Sequence, residues 1–152
     1  MSRVAEAGND AHHLWMGQRK LKRRSRQRHA VALTMCLEIT DPIDNVPRRD
    51  PITEDGMPLT PVGAMGVAIG INFQPTGDGK AAITGDFVLA GEEVNPVIVA
   101  LRTHGIEVTA LHSHMLDEQP RLFFMHFWAN DDAIKLAKGL RAALDKTAST
   151  KG

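Results

Sequence analysis

The strongest constraint on the fold is a pair of alternating runs separated by a turn. Large apolar residues occupy every second position of residues 65–73, with glycine, alanine and asparagine between them. Residues 80–89 alternate again, and residues 75–79 have the composition of a turn. The pattern predicts an antiparallel hairpin. If Gln74 pairs with Lys80, Phe73 lies opposite Ala81, and this register joins the two apolar faces.

A helix, a second hairpin and a second helix are predicted after the first hairpin. Asn95 before Pro96 has the pattern of a helix start, although Glu92 is an alternative start, and Gly105 is a suitable end. Residues 106–116 and 121–128 read as two strands joined by a polar turn. The last helix is predicted over residues 132–146, with one apolar stripe. That stripe consists of Ala133, Leu136, Ala137, Leu140 and Leu144.

The predicted fold is therefore α+β. It has an antiparallel sheet with the order β-β-α-β-β-α and both helices on one face of the sheet. The strand over residues 121–128 is apolar on both faces, with Leu122, Phe124 and Trp128 sharing one of them. One helix layer cannot bury both faces. A second covering surface is thus predicted, either a partner subunit, as in a homodimer, or the N-terminal segment.

The chain divides into three parts on composition. Residues 1–45 lack a sustained period and contain seven basic residues between positions 19 and 28, so they are predicted to be a poorly ordered basic segment. Residues 46–147 form the α+β domain, and residues 148–152 are a tail expected to be frayed. No stretch is long and apolar enough to span a bilayer, and the basic run alone makes nucleic-acid binding an unfavoured reading. The single cysteine, Cys36, excludes an internal disulfide.

Paired histidines are the main functional signal. His112 and His114 are two residues apart in a strand pattern, so both imidazoles should leave one face of the sheet. Two imidazoles with the Met115 thioether nearby favour zinc or copper. His126 joins them if Met115 pairs with Arg121, but it points away if the register moves by one residue. Internal hydrogen bonding and stacking on the aromatic strand explain the histidines equally well.

Carboxylates supply further candidates. Asp86 lies in a strand face of small residues, where a charge needs a reason, and it is an alternative metal ligand. Glu93 and Asn95, close to the start of the first helix, are candidate ligand-binding residues. An acid at a helix start is also favourable without any function. No catalytic residue is assigned, because the chain has no nucleophile elbow, phosphate loop or dinucleotide fingerprint.

The chain resembles a known family in several collinear segments. They are Thr84–Leu89 (TGDFVL), Glu93–Val97 (EVNPV), Gly105–Met115 (GIEVTALHSHM), Pro120–His126 (PRLFFMH) and Lys135–Ala137 (KLA). Together they are similar to the LppY/LpqO family, also labelled domain of unknown function 1259, over about residues 46–147. The family is defined by this pattern and not by an assigned activity. Many members of that family are exported or lipid-anchored, but these residues contain no clear signal peptide, so the sequence assigns no compartment. Members usually begin with an amphipathic helix, and the basic segment stands in its place here.

Three functions remain open on the sequence. The first is a domain that binds a metal ion or small polar ligand through the paired histidines. The second is a non-catalytic interaction or self-association module that uses the aromatic strand. The third is a hydrolase or isomerase with histidine as general base and Asp86 or Glu93 as its partner.

Overall fold

The computed structural model describes residues 43–60 and 65–150, which form seven strands and two helices. The predictions for residues 1–42, including the basic run and Cys36, lie outside the described residues. No helix in the described part is long and apolar enough to cross a membrane. The strands are β1 (Ile43–Pro47), β2 (Thr53–Glu54), β3 (Met57–Pro58), β4 (Ala68–Gly77), β5 (Lys80–Ala90), β6 (Glu107–His112) and β7 (Leu122–Asp132). The helices are α1 (Gly91–Thr103) and α2 (Ala133–Leu144).

The main sheet has five antiparallel strands in the order β1-β4-β5-β7-β6, and β2 pairs with β3 in a separate small hairpin. From β4 onward the chain follows the predicted order β-β-α-β-β-α, so the α+β prediction is confirmed. The two helices contact each other, and their apolar stripes join one core with β4, β5 and β7. Strand β1, which begins at Ile43, adds an edge strand that the alternation did not reveal.

The register of the first hairpin differs from the prediction. Phe73 lies opposite Ile83 and not opposite Ala81. Strand β4 continues to Gly77, which pairs with Lys80 across a tight turn at Asp78 and Gly79, and the register shifts between Pro75 and Gly77. The error is two residues, and side chains alternate with a period of two. Both apolar faces therefore still meet.

The first helix starts earlier than Asn95. Gly91 is its first residue, Ala90 is the N-cap, and the Glu93 carboxylate accepts a hydrogen bond from the Ala90 backbone N–H at 2.8 Å. The prediction that Asn95 caps the helix is wrong, because Glu93 already satisfies the cap from the third helical position. The second helix is as predicted: Asp132 caps it by accepting from the backbone N–H of Lys135 at 2.8 Å, and its whole apolar stripe is buried.

The face of β7 that points away from the helices is covered only in part. Leu122 and Phe124 are fully buried, and the His114 ring stacks on Phe124 with 3.6 Å between ring centroids. Trp128, on the same face, remains 47% exposed. Covering Phe124 therefore requires neither a partner subunit nor the N-terminal segment, because His114 from the loop after β6 lies over its ring.

A buried ion pair joins both ends of the described domain. The Arg48 guanidinium, at the end of β1, donates to the Glu93 carboxylate at the start of α1 and to the Val88 carbonyl. Glu93 also accepts from the Ala148 backbone N–H, and Thr150 bonds to β1, so residues 148–150 are held and not frayed. Burial alone would lower the pKa of Arg48, but its hydrogen bonds with Glu93 and Asp50 outweigh burial and raise it.

Breaking this pair should destabilise the fold. We expect Glu93→Gln to lower the free energy of unfolding by about 3 kcal/mol, because the Arg48 charge stays buried without its main partner. Urea denaturation measures the change. Glu92→Gln is the matched control: Glu92 is the exposed neighbour in the same helical turn, and its loss should cost less than about 1 kcal/mol. Equal effects of the two substitutions would contradict this role for the pair.

Gly85 should tolerate no side chain. A Cβ atom there would lie 2.1 Å from the Gly70 carbonyl oxygen and 2.7 Å from the Phe127 ring. We expect Gly85→Ala to cost at least about 2 kcal/mol of unfolding free energy, since backbone and a packed ring must both move. Gly70→Ala is the control in the adjacent strand: its Cβ would meet only Asn45 Oδ1 at 4.0 Å, so the substitution should be close to neutral. Thermal or urea unfolding measures both variants.

Candidate functional site

Two rows of residues cross the sheet on the face opposite the helices. One row runs Gly70, Asp86, His126 and Ala110, and the next runs Asn72, Thr84, Trp128 and Glu107. We call these eight residues, together with His112, the open face. The pairing of β5 with β7 has no irregularity over its eleven pairs, so Asp86 lies directly opposite His126. This row unites two candidates that are 40 positions apart in the sequence.

The three strand histidines lie together. His112 pairs with Phe124 in the register of β6 and β7, and this parity places His112 on the same face as His126. The ring centroid of His112 lies 5.0 Å from that of His114 and 4.9 Å from that of His126. The register shifts between Val108 and Ala110, where β6 contains one extra residue. The sequence left this parity open, and the structure has the arrangement that groups all three imidazoles.

His112 and His114 contact each other through their ring nitrogens. The two Nε2 atoms are 3.0 Å apart, so one carries a proton and donates while the other accepts through its lone pair. Both rings are exposed. Among the described residues no carboxylate hydrogen-bonds to either of these two imidazoles. The pair is therefore held by its own N–H···N bond and by the stacking of His114 on Phe124.

Asp86 is associated with the third histidine. Its Oδ1 lies 3.8 Å from His126 Nδ1, and the same Nδ1 is 3.4 Å from the Gly85 carbonyl oxygen. Because a carbonyl oxygen only accepts, this long hydrogen bond assigns the proton of His126 to Nδ1 and leaves the Nε2 lone pair free. Oδ1 of Asp86 is buried and has no hydrogen-bond partner among the described residues. Burial raises the pKa of Asp86, and the charges of His126, His114 and His112 offset part of the rise.

The remaining candidates lie elsewhere. Glu93 is buried in the Arg48 ion pair, and Asn95 is exposed on α1, so neither belongs to the open face. Met115 is partly buried against the core. The structure adds Trp128, Asn72 and Thr84 to the neighbourhood of Asp86 and His126. Alternation in β7 placed Trp128 on the same face as Phe124, but only the register with β5 places it beside Thr84.

The fold and these residues define an α+β sheet protein with a cluster of histidines on the face that the helices leave open. The profile of the family described as Domain of Unknown Function (DUF1259) matches residues 44–146, and the chain belongs to this family. No curated protein and no solved structure matches the chain. Within the described ranges, no group of three or more His, Cys, Asp or Glu side chains has the geometry to hold a metal ion.

The raised pKa of Asp86 predicts a pH-dependent stability. The folded protein holds the Asp86 proton more tightly than the unfolded chain does, so stability falls as the pH rises from 3.8 through the folded pKa. Asp86→Asn removes this loss. We expect the variant to gain stability relative to the parent protein as the pH rises, measured by urea unfolding from pH 3 to pH 7.

Asp131→Asn is the control with the opposite sign. The ammonium of Lys135 lowers the pKa of Asp131, so the ionised carboxylate stabilises the fold above pH 3.8, and this contribution is lost at lower pH. Its variant should lose stability relative to the parent protein as the pH rises. A difference between Asp86→Asn and the parent that stays constant with pH would contradict the burial of the Asp86 charge.

Proposed function

We propose that this protein binds a transition-metal ion, zinc or copper, through His112 and His114. The observation that carries the proposal is the 3.0 Å separation of the two Nε2 atoms. Two lone pairs that share one proton can also share one metal ion, because imidazole binds metals through the same lone pair. Two nitrogens on one tetrahedral zinc are about 3.4 Å apart, from Zn–N bonds of about 2.0–2.1 Å. The pair therefore needs to open by only a few tenths of an ångström.

His126 is the third imidazole of the proposed site. Imidazole rings on one tetrahedral zinc have centres about 5 Å apart, from the same bond lengths. The separation of the His112 and His126 rings, 4.9 Å, supports this assignment, and the free Nε2 of His126 is the nitrogen available to a metal. The two rings are stacked with 22° between their planes, so their lone pairs lie in different, nearly parallel planes and one ring must turn before both reach one metal ion.

Asp86 acts in this proposal as an orienting group and not as a direct ligand. A carboxylate that accepts from the other nitrogen of a ligating histidine holds the ring in one tautomer and orientation. The approach of Asp86 Oδ1 to His126 Nδ1, at 3.8 Å, supports that role once the ring turns. Imidazole ligands suit both zinc and copper, and Met115 adds a thioether close to the pair in sequence.

The catalytic alternative has less support. A histidine that acts as general base is usually oriented by an acid within hydrogen-bond reach. In the described part of the chain, His112 and His114 have each other as partners, and the nearest approach of a carboxylate to an imidazole is the 3.8 Å contact of Asp86 with His126. Metal or ligand binding needs no such acid, and it is therefore the function we propose.

Calorimetric titration of the metal-free full chain with zinc and with copper tests the proposal. We expect one site per chain, and His112→Ala/His114→Ala should weaken it at least about 100-fold because both primary ligands are lost. Asp86→Asn should weaken it about 10-fold, the effect typical of a group that orients a ligand.

Two controls separate this site from the other histidines of the chain. His12→Ala/His13→Ala/His29→Ala removes the N-terminal imidazoles and should leave the site intact. His104→Gln removes the histidine at the end of α1, whose Nδ1 donates to the Ala100 carbonyl, and should likewise leave the site intact. Unchanged metal binding by the His112→Ala/His114→Ala variant would contradict the proposal.

A further inference from the structure

Trp128 is a large exposed aromatic side chain on the open face. Nearly half of its surface, 47%, is accessible, whereas Phe124 on the same strand face is fully buried. Its cross-strand neighbours are Thr84 and Glu107, neither of which provides an aromatic or aliphatic partner for the indole ring. An exposed tryptophan bounded by polar residues offers a flat apolar surface to a ligand.

The sheet surface beside Trp128 consists of small and polar residues. In the adjacent row Gly70 and Ala110 lie at either side of Asp86 and His126, and a Cβ at Gly70 would meet nothing nearer than 4.0 Å. Neighbouring strands are about 4.8 Å apart, so the distance from the Gly70 strand to the Trp128 strand is about 10 Å. The open floor is thus long enough for two linked six-membered rings.

The polar groups of this surface suit a neutral ligand with many hydroxyl groups. Thr84 offers a hydroxyl, and Asn72 an amide that also donates to the Thr84 carbonyl at 3.4 Å. The Asp86 side chain is 25% exposed, so it offers a carboxylate although its Oδ1 is buried. The two rows contain neither lysine nor arginine, so they have no fixed positive charge to recognise a polyanion. A carboxylate accepts from hydroxyl donors, and the C–H face of a sugar ring packs on an indole ring.

We propose that the open face binds an oligosaccharide, with a sugar ring on Trp128 and hydroxyl groups bonded to Asp86, Asn72 and Thr84. This goes beyond the proposed metal site: the two share Asp86, which orients His126 in the metal site, but no metal-binding histidine contacts the saccharide. A quaternary ammonium ligand is the other group that stacks on tryptophan, but such ligands are held in cages of several aromatic faces. Trp128 is a single aromatic wall, and its nearest ring-bearing neighbour on the strand is His126.

Calorimetry and the indole N–H resonance in nuclear magnetic resonance spectra test the proposal on the full chain in EDTA. The probes are maltotriose, cellotriose and chitotriose. We expect at least one of them to bind with a Kd near or below about 1 mM and to shift the Trp128 resonance. Trp15→Phe assigns that resonance, because the chain has two tryptophans.

Variants of Trp128 and Asp86 distinguish the loss of sugar stacking on Trp128 from a loss of folding. Trp128→Ala should weaken saccharide binding at least about tenfold, Trp128→Phe should retain part of it, and Asp86→Asn should weaken it. Zinc titration of Trp128→Ala should match the parent protein, so loss of saccharide binding and loss of metal binding are distinguishable. If Trp128→Ala fails to fold, Trp128→Phe carries the same test, because Asp86→Asn is expected to weaken metal binding as well.

Three results would overturn the proposal. One is the absence of binding by all three trisaccharides at 10 mM, about ten times the expected Kd. Another is binding of tetramethylammonium at Trp128 in place of the sugars. The third is a dimer in sedimentation velocity that Trp128→Ala dissociates, since Trp128 would then be covered by a second copy of the chain.

Discussion

The site depends on the uninterrupted pairing of β5 with β7. Eleven consecutive residue pairs join these central strands without a bulge, and they place Asp86 opposite His126 and Thr84 opposite Trp128. A slip of β7 by one residue would move His126 and Trp128 to the helix face and bring Phe127 out of the core. Burial of the core therefore also fixes the composition of the open face. Gly85 supports this arrangement because the Phe127 ring and the Gly70 carbonyl occupy the space of a side chain.

The face opposite the helices has two parts with different environments. At one end the loop after β6 is anchored by Arg121, which donates to the carbonyls of Met115 and Leu116, and by Glu118, which accepts from the Leu122 backbone. This loop lays His114 over Phe124 and within reach of His112. At the other end small residues and Trp128 remain accessible. The boundary between the covered and open parts runs through the histidines, where the metal ion is proposed to bind, and the proposed saccharide surface lies on the open part around Trp128.

Glu93 and Asp86 show how the neighbours of a carboxylate decide its use. Glu93 is surrounded by donors from Arg48, Ala90 and Ala148, and its charge joins three distant segments of the chain. Asp86 is also partly withdrawn from water, yet its Oδ1 has no donor among the described residues and its pKa is raised by burial. A buried carboxylate that lacks its hydrogen bonds costs stability. A ligand or a reoriented His126 would supply the hydrogen bond that Asp86 lacks.

The sequence by itself determined the element types from β4 onward, the faces that are buried there and the pairing of His112 with His114 on one face. These are local properties, since alternation with a period of two and helical stripes depend on neighbouring residues. The part of Glu93 in the buried ion pair depended on Arg48, which is 45 positions away, and no local pattern reports that contact. The grouping of His126 with His112 was decided by the register of β6 and β7, which a single extra residue at their bulge or turn would reverse. Asp86 and Trp128 joined the same surface only through pairing across the sheet, because register follows from the packing of the whole core.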